Sequence, residues 1–507
     1  MNTRNAKLVA AFSYLKEIQD DGRKVFRSVE LNKHRVVLLR GGFLKELLKG
    51  WYIFSPLGDN AGETTIWNAT WRDFISVYCE HRFRSDWHLS PEQSLLLHAR
   101  NTVAPKQIIV YAKSGQNNTI ELKNGASIFD YKVLGLKSEY TMVLDGVRVL
   151  TPEAALIQAS ENFFKKHQMD AQIILETISD VSLILEILLD GGKSAAAGRI
   201  AGALRTLGKV DEADSIVEEM RTNGYTIVET NPFETYDIQL LRTYRETPFE
   251  QRIRLMWNSM REDVISVFPP EPGIPQTPDG YLKVIRDLYA RDAYHSLSIE
   301  GYRVTEGLIK RIQEGVWNPD DNPRGLEAKS AFAAKGYQFA FESVQESVAK
   351  ILAGENSADV VRGDHQKWYS NLFRPSITAG ILETKHLRGY RNDAVYIRDS
   401  FHVPPSPTDV RNGMHTFFEL LKDEPSAAVR AVLGHFMLVF IHPYMDGNGR
   451  IGRFILNALF ASGGYDWTII PVEKRQGYLE TLETASVQKQ IRPFAEFIAK
   501  CMEQNNP

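Results

Sequence analysis

The sequence predicts a multidomain, mainly α-helical protein: an all-α C-terminal core with a β-hairpin flap, preceded by a winged-helix start and a small α/β and helical region. Three observations carry this expectation. At 507 residues the chain exceeds what one hydrophobic core usually serves. Apolar residues recur at helical spacing over most of its length, while strand-like stretches concentrate between Gln107 and Leu150. Two apolar runs, Ala431 to Ile441 and Ile451 to Phe460, read as buried helices joined by a short glycine-bounded loop.

A hydrophobic share of 43% and a charged share of 24% describe an ordinary globular chain, and a net charge of -3 points to no particular partner. The charge is uneven: residues 1–60 hold eleven Lys or Arg against six Asp or Glu, a basic start on a mildly acidic remainder. Cys79 and Cys501 are the only cysteines, which excludes a disulfide scaffold or a cysteine metal site and fits a reducing compartment. Met1 to Lys16 has too short an apolar run for a secretion signal, and no window has the length of a membrane-spanning helix. A cytoplasmic protein with no membrane partner is expected.

Residues 6–20 alternate at helical spacing, and Leu31 to Leu48 reads as further short helical segments rich in Arg35, Arg40, Lys45 and Lys49. Gly50-Trp51-Tyr52-Ile53-Phe54 reads as a tight turn into a strand. Helices followed by a hairpin suggest a winged helix-turn-helix over residues 1–60 whose basic helix faces a phosphate backbone; a small helical cap with solvated lysines accounts equally for the pattern. Strands follow at Ile108 to Tyr111, Thr119 to Leu122 and Tyr140 to Leu150. Thr151-Pro152-Glu153 then starts a helix, with Thr as cap and Pro in the first turn, and amphipathic helices run on to Gly224. Residues 61–230 show no catalytic grouping. With its basic start, Gly-Trp-Tyr turn, small α/β segment and Thr-Pro-Glu-Ala-Ala-Leu helix, this first half resembles the AbiEi-type antitoxin family. That resemblance implies DNA binding through the winged helix.

Residues 231–360 are expected to hold a linker and the helices leading into a core at 361–501. The run Phe268 to Pro275 is too rich in proline for regular structure, so Asn231 to Thr277 reads as a surface connection, followed by a helix from Tyr281 to His295. Ser296-Leu297-Ser298-Ile299-Glu300-Gly301 comes next. Further on, Ala394-Val395-Tyr396-Ile397 lies between the turn residues Asn392-Asp393 and the prolines Pro404, Pro405 and Pro407, which reads as a β-hairpin or strand-like flap.

The densest chemistry is His442-Pro443-Tyr444-Met445-Asp446-Gly447-Asn448-Gly449-Arg450-Ile451-Gly452-Arg453. Gly447 and Gly449 let backbone amides approach a phosphate, and the second helix opens there with its unpaired N–H groups and positive dipole end. Arg450 and Arg453 are three apart and share a helix side, so they can clamp further phosphate oxygens. Asp446 offers the hard oxygen ligand that a magnesium ion on a polyphosphate takes from a protein. His442, at the end of the first helix, suits proton removal from a hydroxyl. Each residue alone fits a polar interhelical turn; as a set they are the parts of phosphoryl-group chemistry.

The stretch resembles the signature of the Fic family at every fixed position except Tyr444, where the family has Phe. That resemblance implies an all-α Fic core with a flap over the active site, and protein adenylyltransfer as the activity: AMP moves from ATP to a Ser, Thr or Tyr hydroxyl of a target protein. It makes His442 the general base. By the same likeness Asp446 holds Mg²⁺, and Gly447, Asn448, Gly449, Arg450, Ile451, Gly452 and Arg453 bind the nucleotide, with Tyr478 and Ser486 where relatives complete the adenine pocket. Several relatives have Asn near Ser486. Ser296, Glu300 and Gly301 match the family's inhibitory motif, in which Glu300 occupies the arginine meant for the γ-phosphate. The family likeness also makes Ala394, Val395, Tyr396 and Ile397 the strip on which a target segment docks. Homodimerisation, self-AMPylation, removal of AMP and other donors such as UMP or phosphocholine belong to the same expectation. Gly449, a lysine in Doc-type sequences, favours AMP. The competing reading is an antitoxin-like DNA-binding transcriptional regulator with a nucleotide-sensing Fic domain.

Overall fold

Turn and cap chemistry set out the first part of the chain. In the computed structural model, residues 3–19, 22–55, 63–134, 137–233, 246–275, 277–317, 326–383, 387 and 389–505 are described. The helix Thr3–Ile18 is followed by β1 (Val25–Arg27), the short helices Ser28–Leu31 and Arg35–Arg40, β2 (Leu44–Leu48) and β3 (Trp51–Phe54). The strands form an antiparallel sheet in the order β1-β3-β2. Ala11, Leu15, Phe26, Leu31, Leu38, Leu44 and Tyr52 close a small core around it. Leu44 to Leu48 is thus strand, where the sequence reads as helix: Leu44 and Leu47 are three apart and both buried, and an irregularity between Glu46 and Leu48 lets a strand bury both.

The helix Glu63–Phe83 supplies Trp67, Trp71, Phe74, Ile75 and Tyr78 at helical spacing to a larger core. Against it lies a mixed sheet in the order β4-β5-β7-β6, made of β4 (Trp87–Leu89), β5 (Gln107–Ala112), β6 (Asn118–Glu121) and β7 (Ser127–Lys132), with β5 and β7 parallel. The run Tyr140 to Leu150 is a hairpin of β8 (Thr141–Leu144) and β9 (Val147–Leu150). Asp145 and Gly146 turn it at φ 49° and 82°, the mirror-image turn that two-residue hairpins prefer. Thr151 caps the helix Pro152–Gln158 by accepting from the Ala154 amide, as the sequence leads one to expect. Helices Ser182–Gly191, Ser194–Thr206 and Val210–Thr222 complete this part.

The chain forms two compact units: Met1–Arg252 with Tyr396–Val403, and Ile253–Val395 with Pro404–Pro507. The excursion 396–403 is built into the first unit. Val403 N–H donates to the Thr102 carbonyl at 2.7 Å, Ala104 N–H to the Phe401 carbonyl at 3.0 Å, and Asn68 to the Ser400 carbonyl at 3.0 Å.

The expected surface connection is only partly irregular. Residues 234–245 lie outside the described residues, but Pro248–Val267 is a helix whose Phe249, Ile253, Met256, Trp257, Met260 and Val264 are buried. Prolines flank it instead of interrupting it, and that is why the stretch misleads. Among its described residues the second unit has helices and no strand. Its centre is the helix Ala427–Ile441, apolar on nearly all sides and packed against Asn448–Ala461. Around this pair stand Pro278–Ile299, Leu326–Leu352, Ser357–Thr378, Pro407–Asp423 and the C-terminal helices Arg475–Glu483 and Arg492–Asn505. A helix including Tyr281 to His295 is found, and it runs on through Ser296. The hairpin is not: among the described residues, 389–401 contain no strand. Their backbone is held another way, by Arg391, whose guanidinium takes the carbonyls of Asp393 and Pro405.

Candidate active site

The helix Ala427–Ile441 is stopped by His442, which takes a left-handed conformation at φ 54° and ψ 59°. Proline and a tight turn follow, and Gly447 at φ 87° opens the next helix at Asn448. A side chain at Gly447 would be strained by that φ and would press on Phe373. Asn448 fixes the loop. Its Oδ1 accepts from the Tyr444 amide at 2.9 Å and its Nδ2 donates to the Tyr444 carbonyl at 2.8 Å, so this side chain serves the loop's shape. Tyr444 is buried and stacks on Tyr369 with ring centroids 3.8 Å apart.

His442 is half-buried, and its Nδ1 lies 3.1 Å from the Val439 carbonyl. That contact assigns the proton to Nδ1 and leaves the Nε2 lone pair free. Burial lowers its pKa to about 4; the Val439 carbonyl opposes this shift and the charge of Arg391 adds to it. The imidazole is therefore neutral near pH 7, the state a proton acceptor needs.

Two buried arginines face the loop. Arg450 is 1% exposed and lies between the rings of Tyr302 and Phe373, at 5.2 and 5.0 Å from their centroids. Its Nη2 comes within 3.3 Å of Asp446 Oδ1 without hydrogen-bond geometry, and both Nε and Nη2 lack a hydrogen-bond partner. Arg453 donates from Nε to Ser296 Oγ at 2.9 Å, and from Nη2 to the Ser296 carbonyl at 3.0 Å and Glu300 Oε1 at 2.7 Å, while Nη1 has no partner. Burial works against its charge, but Glu300 outweighs it and the pKa is raised. Gly301, at φ 85°, ends the segment that delivers Ser296 and Glu300. A side chain on Gly449 would run into the Glu300 carboxylate.

The fold thus brings His442, Asp446, Gly447, Gly449, Arg450 and Arg453 together with Ser296 and Glu300, which are far away in sequence. Other expected residues sit differently. Ile451 is fully buried and Gly452 packs on Val439 and His435, so both face the partner helix. Tyr478 is buried with its hydroxyl 2.8 Å from His435 Nε2, and Ser486 is buried in a π-helical turn, Thr484–Gln488. Ala394 is exposed and Val395 half-buried, while Tyr396 and Ile397 belong to the first unit. Tyr302, Phe373 and Arg391 escaped the sequence reading. Tyr302 adjoins the Glu300-Gly301 pair, which is the one local signal for it; the other two have none.

Residues 362–460 match the Fic/DOC family. Over that stretch the chain is similar to the Fic/DOC family. Among its relatives, the protein adenylyltransferase Fic of Drosophila virilis is 40% identical over 223 residues, 43% of this chain and 42% of that protein. The protein of the same name from Nematostella vectensis is 29% identical over 229 residues, 44% of this chain and 49% of that one. The chain therefore aligns with less than half the length of these curated relatives. A solved structure of Fic-1 from C. elegans aligns at 19% identity and a TM-score of 0.37, covering 70% of this chain and 88% of that one. In the first half, no described helix is long and apolar enough to cross a membrane, and the same holds for the Fic half.

Proposed function

We propose that the chain is a protein adenylyltransferase, moving AMP from ATP to a Ser, Thr or Tyr hydroxyl of a target protein, and that Glu300 holds this activity in check. The carrying observation is the Glu300–Arg453 pair, which ties Glu300 to the Fic/DOC-like stretch 362–460, beside buried arginine donors that have no partner. A triphosphate supplies the oxygens those donors lack, and Glu300 competes for the same guanidinium. With Glu300 in place a nucleotide sits misaligned for in-line attack at its α-phosphate.

In the reaction, His442 Nε2 takes the proton of the target hydroxyl as its oxygen bonds to the α-phosphorus. The bond from that phosphorus to the bridging oxygen breaks, and pyrophosphate leaves. Backbone amides at the start of Asn448–Ala461 stabilise the charge on the transferring phosphate, and Arg450 and Arg453 balance it on the leaving group. Among the described residues no three His, Cys, Asp or Glu cluster for a metal. A magnesium ion that keeps its waters and phosphate oxygens asks for only one carboxylate, and Asp446 fits: its side chain is 63% exposed. Bound there, Mg²⁺ would supply neutralisation of phosphate charge.

The test is label from α-labelled ATP in a cell lysate and on the chain itself. The Glu300→Gly variant is expected to label strongly above the parent, and His442→Ala in that background to lose about 10²–10⁴-fold. Equal labelling by parent and Glu300→Gly removes the inhibitory role, and full labelling without His442 removes the mechanism. Labelled UTP or a phosphocholine donor used in preference would change the donor, and loss of label from a premodified target would add de-AMPylation.

A second reading is favoured by the order of elements at the start of the chain, helix, strand, two helices, then two strands in a β1-β3-β2 sheet, as in a winged helix-turn-helix. Lys33, Arg40 and Lys49 are exposed there. DNA binding by this part would show in a gel shift that weakens steeply with salt. A shift insensitive to salt, or none, counts against it.

A further inference from the structure

Arg391 lies outside both the signature and the inhibitory motif and is 3% exposed. Its donors converge on backbone carbonyls. The amide donates to Pro443 at 2.8 Å, Nε to His442 at 2.8 Å, Nη1 to Asp393 at 2.9 Å, and Nη2 to Pro405. Asp393 and Pro405 bracket residues 394–404. One guanidinium plane therefore closes the neck of that excursion and holds the backbone of His442. The left-handed conformation of His442 is disfavoured for a non-glycine residue and persists only where its surroundings impose it. Its own N–H is fixed by the Leu438 carbonyl and its ring by Val439, and Arg391 fixes the carbonyl that leaves it and the one after.

We propose that Arg391 is a positioning residue for AMP transfer: it holds the backbone of His442 and that of Asp393 and Pro405 in one geometry, so that the imidazole is aimed at the incoming target hydroxyl. This rests on the reading of His442 as proton acceptor. Arg391 touches neither nucleotide nor target in this role. A planar fork spreads its donors over the width of the guanidinium, whereas an ammonium group directs all three from a single nitrogen.

The experiment places Arg391→Gln and Arg391→Lys in the Glu300→Gly background. It measures maximal self-labelling from α-labelled ATP, the KM for ATP, and the stoichiometry and affinity of Mg·ATP binding by calorimetry. Expected is a fall in maximal rate of about ten- to a hundredfold for Arg391→Gln, with KM and affinity for ATP within about twofold and part of the rate restored by lysine. A rate within about threefold of the parent overturns the proposal. So does a loss no larger than the loss of ATP-binding sites, which marks a strut needed only for folding. Should the Glu300→Gly chain not label at all, the AMP reading fails, and the histidine-ring NMR spectrum decides the positioning claim. The signal assigned by its absence in His442→Ala must move in Arg391→Gln, and an unmoved signal overturns the proposal.

Discussion

Tyr444 carries a hydroxyl that has no partner, although its side chain is 1% exposed. The ring packs on Tyr369 and near Tyr390 and His365, and the loop's own amide and carbonyl at this residue are taken by Asn448. The hydroxyl therefore costs desolvation and returns no hydrogen bond. Tyr444→Phe, which restores the residue of the Fic signature, is expected to stabilise the chain by about 1 kcal/mol and leave AMP transfer unchanged. Denaturant titration reads the first and labelling the second; a destabilised variant would mean that the hydroxyl has a partner in solution. At the same scale, the side chain of Asn448, expected at a nucleotide, is engaged in bracing the loop at Tyr444. Sequence spacing tells which side chains lie near a loop, but not which of them the loop itself occupies.

Among the helices, Pro278–Ile299 shows how an element carries a motif to its target. One turn before Ser296, Asp292 accepts from Tyr337 at 2.6 Å and from Trp467 at 3.2 Å, which anchors the helix to Leu326–Leu352 and to the stretch after Asn448–Ala461. Burial raises the pKa of Asp292 to about 6, against the hydrogen bonds from Tyr337 and Trp467 and the charge of Arg453. A carboxyl raised in the folded state adds stability below its unfolded pKa, near 3.8, and loses that contribution as pH rises through about 6. Asp292→Asn keeps an acceptor for Trp467 and puts an N–H where Asp292 accepts from Tyr337, whose oxygen can take it. It is expected to raise the unfolding free energy at pH 7.5 by up to roughly 2–3 kcal/mol, with little gain at pH 4. Equal gains at the two pH values would show that ionisation is not the cause.

This anchoring is also where legibility ends. Ser296 and Glu300 are readable as a motif, and apolar spacing gives the helix that bears them. Asp292, Tyr337 and Trp467 meet only through packing, and nothing in their neighbours announces it. The flap fails for a related reason: strand-like residues at Ala394 to Ile397 have no partner strand among the described residues, and Arg391 holds the carbonyls on either side of them, at Asp393 and Pro405. The glycine-bounded loop was legible because φ 87° at Gly447 and the helix start after it depend on local sequence alone.

Across the whole molecule, buried histidines give stability a common pH dependence. Burial lowers His365 and His442 to about 4 and His435 to about 3, the last with the Arg453 charge adding to the effect. The unfolded chain binds those protons near pH 6.5 and the folded chain does not until about 4 or below. Their contribution is complete above pH 6.5 and is lost as pH falls through this window. Asp292 opposes the trend over most of this window, up to about pH 6. Urea midpoints are expected to be flat above pH 7 and to fall between pH 6.5 and 4, and less so in a His365→Gln variant. A flat profile down to pH 4 would contradict the burial of these rings.

The excursion 396–403 sets an order on the making of the chain. The first unit ends at Arg252 but needs residues up to Val403, another 151 positions along. At a ribosomal pace of about 5–20 residues per second, that unit waits on the order of ten seconds or more with the seats of Ser400, Phe401 and Val403 empty. Glu300 emerges during the wait, and His442 and Arg453 only after it. Each nascent molecule has thus made Glu300, the proposed brake, before the residues it would act upon.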